Sequence, residues 1–106
     1  MAEAADGRDG EVRDDPGASR FELVVEGHLA RLDYRREGGR LELVHTVVPD
    51  ELEGRGLGGT LVRAGLDVAA RDGLTLVPTC PFARRWLEGH PVEAARVSID
   101  WPPFEG

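Results

Sequence analysis

Lysine, asparagine and glutamine are absent from the 106 residues, and all 13 basic side chains are arginine. Without lysine there is neither a phosphate-gripping P-loop lysine nor a Schiff-base lysine. The single cysteine, Cys80, excludes an internal disulfide. With His28, His45 and His90 it forms no metal-ligand spacing, so no metal is expected. No apolar run approaches the roughly 20 residues that cross a bilayer, and the acidic start is unlike a secretory signal. Twenty acids leave a net charge of −7. That balance argues against broad contact with nucleic-acid phosphates, which needs clustered cations. A chain of this size buries only about 60–65% of the surface it exposes when unfolded, yet 41% apolar residues supply a core. One soluble, cytoplasmic domain is expected, a monomer or weak dimer with no nucleic-acid or membrane partner.

What is present begins after an apolar-poor stretch. Residues 1–19 hold six acids and two arginines, so they supply −4 of the charge and read as a disordered acidic leader. Residues 20–91 read as the domain and 92–106 as a C-terminal extension or tail. Phe21, Leu23 and Val25 alternate with Glu22 and Glu26, and Ala30, Leu32 and Tyr34 alternate with Arg31, Asp33 and Arg35. This is the period of half-buried strands over Phe21–Glu26 and Leu29–Arg36. Glu37-Gly38-Gly39 turns the chain into a third strand, Arg40–Val48, which places Leu41, Leu43, His45 and Val47 on one face.

A glycine-rich loop then runs into a helix from Leu57, with Leu61, Gly65 and Val68 on one side and Arg63, Asp67 and Arg71 on the other. Gly73 stops it, and Leu74–Val77 reads as a fourth strand. Strand, loop, helix and strand form a βαβ-like unit with a right-handed crossover, so the flanking strands are expected to run parallel. Thr79 or Cys80 caps a second helix with Pro81 in its first turn, Phe82 and Trp86 on its buried side and Gly89-His90-Pro91 at its end. Arg96–Asp100 can pair as a further strand, whereas Pro102-Pro103 points to a tail. The fold class is therefore α+β (α/β): a mixed, mostly antiparallel sheet with one parallel pair and two packed helices.

Gly54, Gly56, Gly58 and Gly59 stand directly before the first helix, where unsatisfied amides and a partial positive charge attract anions. Gly54-x-Gly56-x-x-Gly59 matches the dinucleotide fingerprint literally, but Pro49–Glu53 separates it from the strand and no acid ends Leu74–Val77 to hold a ribose. About thirty residues follow that strand, too few for a doubly wound sheet.

The strand ending Val47-Val48-Pro49, followed by Gly54-Arg55-Gly56-Leu57-Gly58-Gly59, resembles the acetyl-coenzyme A motif of the GNAT acetyltransferases. His45-Thr46-Val47-Val48-Pro49 together with Leu76-Val77-Pro78-Thr79-Cys80-Pro81-Phe82 and His90-Pro91 is similar to a small single-domain subgroup of that superfamily. The resemblance covers about residues 21–91 and implies a minimal GNAT-like fold. It implies that the backbone of Val47 and Val48 pairs with the pantetheine arm. The amides of Gly54, Arg55, Gly56, Leu57, Gly58, Gly59 and Thr60 would hold the pyrophosphate. Glu53 stands where the superfamily motif usually begins with arginine or glutamine. Phe82 and Arg85 are further candidates for cofactor contact, Arg85 through phosphate. The resemblance also implies acetyl-CoA as cosubstrate and Cys80 facing the acetyl group.

Read from its position alone, Cys80 at a helix start is equally an activated thiol or a small buried cap. His45, on an apolar face, is more often a satisfied core residue than a base, yet it is the candidate base or thiolate partner. The expected activity is acetyl transfer to an amine of a protein, polyamine or small metabolite, directly or through Cys80. The acceptor site is expected to be shallow and open, since Phe21 to Arg36 reads as strands where the superfamily usually has helices. A non-catalytic coenzyme A-binding or regulatory module is the alternative, and a loop that binds nothing is the third reading.

Overall fold

A computed structural model describes residues 10–103. Five strands form one sheet in sequence order: β1 (Val12–Asp15), β2 (Arg20–Val25), β3 (His28–Glu37), β4 (Arg40–Val47) and β5 (Thr75–Pro78). The first three pairings are antiparallel, and β4 with β5 is parallel. Helix α1 (Leu57–Asp72) links the parallel strands, α2 (Pro81–Gly89) follows β5, and α3 (Pro91–Ala94) is a single turn. Among the described residues no helix is long and apolar enough to cross a membrane.

The alternation read from the sequence sets the inner face. Phe21, Leu23, Ala30, Leu32, Leu41 and Leu43 are buried and meet Leu61, Val62, Leu66 and Ala69 of α1. The helix can lie close because Gly65 has no side chain: a Cβ there would be 3.1 Å from Leu43 Cδ2. Gly73 ends α1 at φ 68° and its amide returns to the Ala69 carbonyl, as a glycine terminator should.

Two expectations are corrected, and one open reading is decided. Part of the stretch read as a leader is ordered, because Val12–Asp15 pairs with β2. Val12 packs against the core and Asp14 accepts a 2.7 Å hydrogen bond from the Tyr34 hydroxyl. One valine among acids gives no periodic signal, and the strand is held by a partner distant in sequence. The rest of the expected leader, Met1–Asp9, lies outside the described residues. Of the readings left open after Val92, pairing within Arg96–Asp100 is the one observed: the Leu76 amide donates to Ser98 and the Asp100 amide to Leu76, so Ile99 pairs in parallel beside β5. Third, β4 carries an irregularity. Asp33 faces His45 but Tyr34 faces Leu43, so Val44 is an extra residue without an opposite number. Beyond it the side-chain parity inverts. Thr46 pairs with buried Leu32 on the inner face, whereas His45 is exposed beside Asp33 and leaves the face of Leu41 and Leu43.

The C-terminal end of α1 is tied to the sheet by charge. Asp72 accepts from Arg71 at 2.8 Å and from Arg36 of β3 at 3.0 Å. The Arg71 guanidinium, assisted by Arg36, holds this carboxyl down to about 2. A depressed folded-state value stabilises the fold above the unfolded value near 4, and that contribution vanishes as pH falls toward 2. Thermal unfolding of Asp72→Asn is therefore expected to show less loss of Tm than wild type between about pH 4 and pH 2, and parallel acid limbs would contradict it.

Candidate functional site

The extra residue in β4 falls where its pairing with β5 stops, because β5 ends at Pro78. The parallel ladder runs from Arg40 opposite Thr75 to Leu43 opposite Pro78, and the Cys80 amide closes it on the Leu43 carbonyl at 2.9 Å. From Val44 onward the β5-side edge of β4 has no strand neighbour among the described residues. The sheet splits there, and a cleft of about 320 Å³ opens beside the split.

Its walls come from four segments. Thr46 and Val48 form one side, a 3₁₀ turn at Asp50–Leu52 tucks Leu52 into the floor, and Phe82 of α2 stands opposite. Glu53, Gly54, Gly56, Leu57 and Gly58 complete it. Gly54 and Gly56 sit at φ 83° and 74°, left-handed values that a side chain strongly disfavours. This geometry swings the chain from the 3₁₀ turn into α1. Gly56 caps the helix without a side-chain bond, so the first-turn amides are left to whatever occupies the cleft mouth.

The paired glycines have a second duty that spacing alone did not reveal. A Cβ on Gly58 would lie 2.7 Å from the Phe82 ring, and one on Gly59 2.4 Å from Trp86 Nε1. They let α1 and α2 touch, with Trp86 between Arg63 (5.1 Å from the ring centroid) and a stacked His90 at 3.9 Å.

The expected site residues divide. Val48, Gly54, Gly56, Leu57, Gly58 and Phe82 line the cleft, while Gly59 and Thr60 lie in the first turn of α1 behind it. Val47 is not among the lining residues, and its side chain is level with Arg31 on the outer face. Arg55 turns away to a two-pronged pairing with Glu26 in the β2–β3 turn, at 3.1 and 3.2 Å, and this holds the Glu26 carboxyl below its usual range. Arg85 is exposed and carries no ion pair among the described residues, so its charge is available. Cys80, 3% exposed, caps α2 but makes no cap bond; its sulfur lies 3.2 Å from Thr46 Oγ1. Thr46 is thus both cleft wall and thiol partner. Thr46 entered the sequence reading only as part of a motif, because strict alternation puts it on the wrong face. His45 is separated from that thiol by the thickness of the sheet. No group of three histidine, cysteine or acidic side chains among the described residues could hold a metal ion.

A family model described as GCN5-related N-acetyl-transferase matches residues 20–97, a span that includes the whole cleft. The chain belongs to the GCN5-related N-acetyltransferase (GNAT) family. Among curated relatives, Protein NATD1 of Gallus gallus is 34% identical over 85 residues, covering 77% of each chain. Protein NATD1 of Mus musculus is 34% identical over 84 residues and covers 76% of each. The solution structure of a GCN5-like protein from Staphylococcus aureus superposes with a TM-score of 0.69 over 92% of this chain and 95% of that one. At 24% identity that match shows the fold. The minimal GNAT fold expected from the motifs is the fold observed.

The glycine contacts set a stability test. Gly59→Ala forces a methyl against the Trp86 ring and is expected to cost roughly 1–3 kcal/mol. Urea unfolding checks this; a change below about 0.5 kcal/mol, the ordinary surface range, would show that α2 simply moves aside.

Proposed function

We propose that this GNAT protein binds acetyl-CoA in the cleft beside the split strands and transfers the acetyl group to an amine. The observation that carries the reading is the single continuous cleft joining the free edge of β4, the uncapped start of α1 and the Thr46–Cys80 contact. An extended amide-bearing arm fits the unpaired edge of Val47 and Val48, since a strand edge recognises any chain that offers alternating donors and acceptors. A pyrophosphate fits the amides of Gly56 to Gly59, which combine unpaired N–H groups with the positive end of the α1 dipole.

Glu53 places a carboxylate at this mouth, where the family motif usually carries arginine or glutamine. One exposed charge changes binding by about 0–1 kcal/mol. Several charge-assisted amide bonds, each roughly 1.5–3 kcal/mol, outweigh it. Arg85 offers a further phosphate contact, and Arg55 becomes available if the anion displaces Glu26.

For the chemistry, Cys80 is the first acceptor in the reading we favour. Its sulfur sits at the start of α2, directly behind the cleft wall formed by Thr46. Transfer to the amine then proceeds from the protein thioester. Direct attack of the amine on acetyl-CoA is the second route; His45, on the opposite face, is poorly placed to serve it as base. No helix precedes β4 among the described residues. The acceptor side is therefore open, which suits an amine on a large or variable molecule.

Incubation of the protein with acetyl-CoA, followed by intact mass measurement, is expected to add one acetyl group at Cys80. The readout is clean because the chain has no lysine. Cys80→Ser is expected to lose this adduct and amine turnover while retaining coenzyme A affinity; unchanged turnover would leave direct transfer as the route. No heat of binding at millimolar coenzyme A would remove the proposal altogether. Separately, Glu26→Gln releases Arg55 and is expected to tighten coenzyme A about threefold to tenfold by calorimetry. Equal affinity would mean that Arg55 never reaches the phosphates.

A further inference from the structure

Cys80 is held by a residue from another element. We propose that Thr46 is its positioning residue, holding the sulfur directly behind the cleft wall for attack on the acetyl carbonyl. The inference rests on the Cys80 relay above.

The geometry has three parts. The Cys80 side chain makes no bond to the start of its own helix and instead lies 3.2 Å from Thr46 Oγ1. That distance is a short sulfur–hydroxyl contact, and a hydroxyl can donate to a thiolate or accept from a thiol. Thr46 faces inward only because Val44 is extra in β4; without it the position would carry its side chain outward. Finally, Thr46 is the one side-chain partner of the Cys80 sulfur among the described residues. Glu53 is the one titratable side chain among the residues lining the cleft. The Thr79 hydroxyl donates to Glu42, Arg84 of α2 is engaged by Glu88 and the Pro102 carbonyl, and His45 faces outward.

In the step itself the Cys80 thiolate adds to the thioester carbonyl, and a new carbon–sulfur bond forms. The bond to the coenzyme A sulfur breaks, and that sulfur takes from solvent a proton equivalent to the one Cys80 released. Thr46 donates its hydroxyl hydrogen to the attacking sulfur while charge resides there. The hydrogen bond weakens once the sulfur is acylated, so the contribution falls on the rate and not on cofactor affinity.

Wild type, Thr46→Ser, Thr46→Val and Thr46→Ala separate this role from packing. Two rates are measured at neutral pH: acylation by acetyl-CoA, and alkylation of the apo protein by iodoacetamide, both read by intact mass. A hydrogen bond to a charged group supports an expected loss of about tenfold or more in both rates for Thr46→Val, with Thr46→Ser within about threefold of wild type. Acylation is compared at saturating acetyl-CoA, because Thr46 also lines the cleft. Valine keeps the volume, and alanine replaces it as the test variant if the valine protein fails to fold. Equal alkylation rates in wild type and the hydroxyl-free variant would overturn the role of Thr46. A wild type that alkylates normally but is never acylated would overturn the relay alone, since the alkylation comparison still reports on Thr46.

Discussion

One surplus residue in β4 governs the molecule. Val44 has no opposite number on β3, so the strand changes parity in its middle, just where β5 runs out opposite Leu43. The inner face of the first half is aliphatic, through Leu41 and Leu43. In the second half it is a cleft wall, through Thr46 and Val48. A regular strand would have presented His45 to the core and turned Thr46 to the outer face. The loss of a few ladder hydrogen bonds there creates a free backbone edge and turns a hydroxyl toward Cys80.

The glycine segment depends on that opening and serves it in two ways. Gly54 and Gly56 supply left-handed backbone that turns the chain from the 3₁₀ turn into α1. Gly58 and Gly59 supply absence, the missing methyl groups that let Phe82 and Trp86 approach the first turn of that helix. Four glycines in six residues at the corner look uniform in sequence but divide into conformational and steric roles. The close approach keeps the uncapped amides of α1, the ring of Phe82 and the cap position of Cys80 within one small region.

Around this region the charges are mostly spoken for. Arg36 and Arg71 hold Asp72, Arg63 holds Glu93, Arg96 holds Asp67 and Arg40 holds Asp100. These exposed pairs are individually weak. Several still link distant parts of the chain: Arg63 and Arg96 tie α1 to the C-terminal segment, and Arg40 ties β4 to the strand beside β5. The arginine-only composition thus shows itself as a surface of paired guanidinium groups, with Arg85 exposed on α2, the helix that Cys80 caps.

Much of this was legible in the residues themselves. The alternation of Phe21 to Tyr34 specified two strands and their buried face, because a pleated strand has a period of two. The stop at Gly73, the start at Pro81 and the glycine corner followed from backbone chemistry local to each residue. The joined motifs from His45 to Gly59 and from Leu76 to His90 specified the family. Tertiary structure decided the rest, for physical reasons that act at long range. Val12–Asp15 became a strand because β2 and Tyr34 were there to receive it. The parity of His45 and Thr46 was decided by pairing with β3, since an extra residue is defined only against a partner. The meeting of Thr46 with Cys80, 34 positions apart in sequence, came from the split of two parallel strands, which neither strand encodes alone.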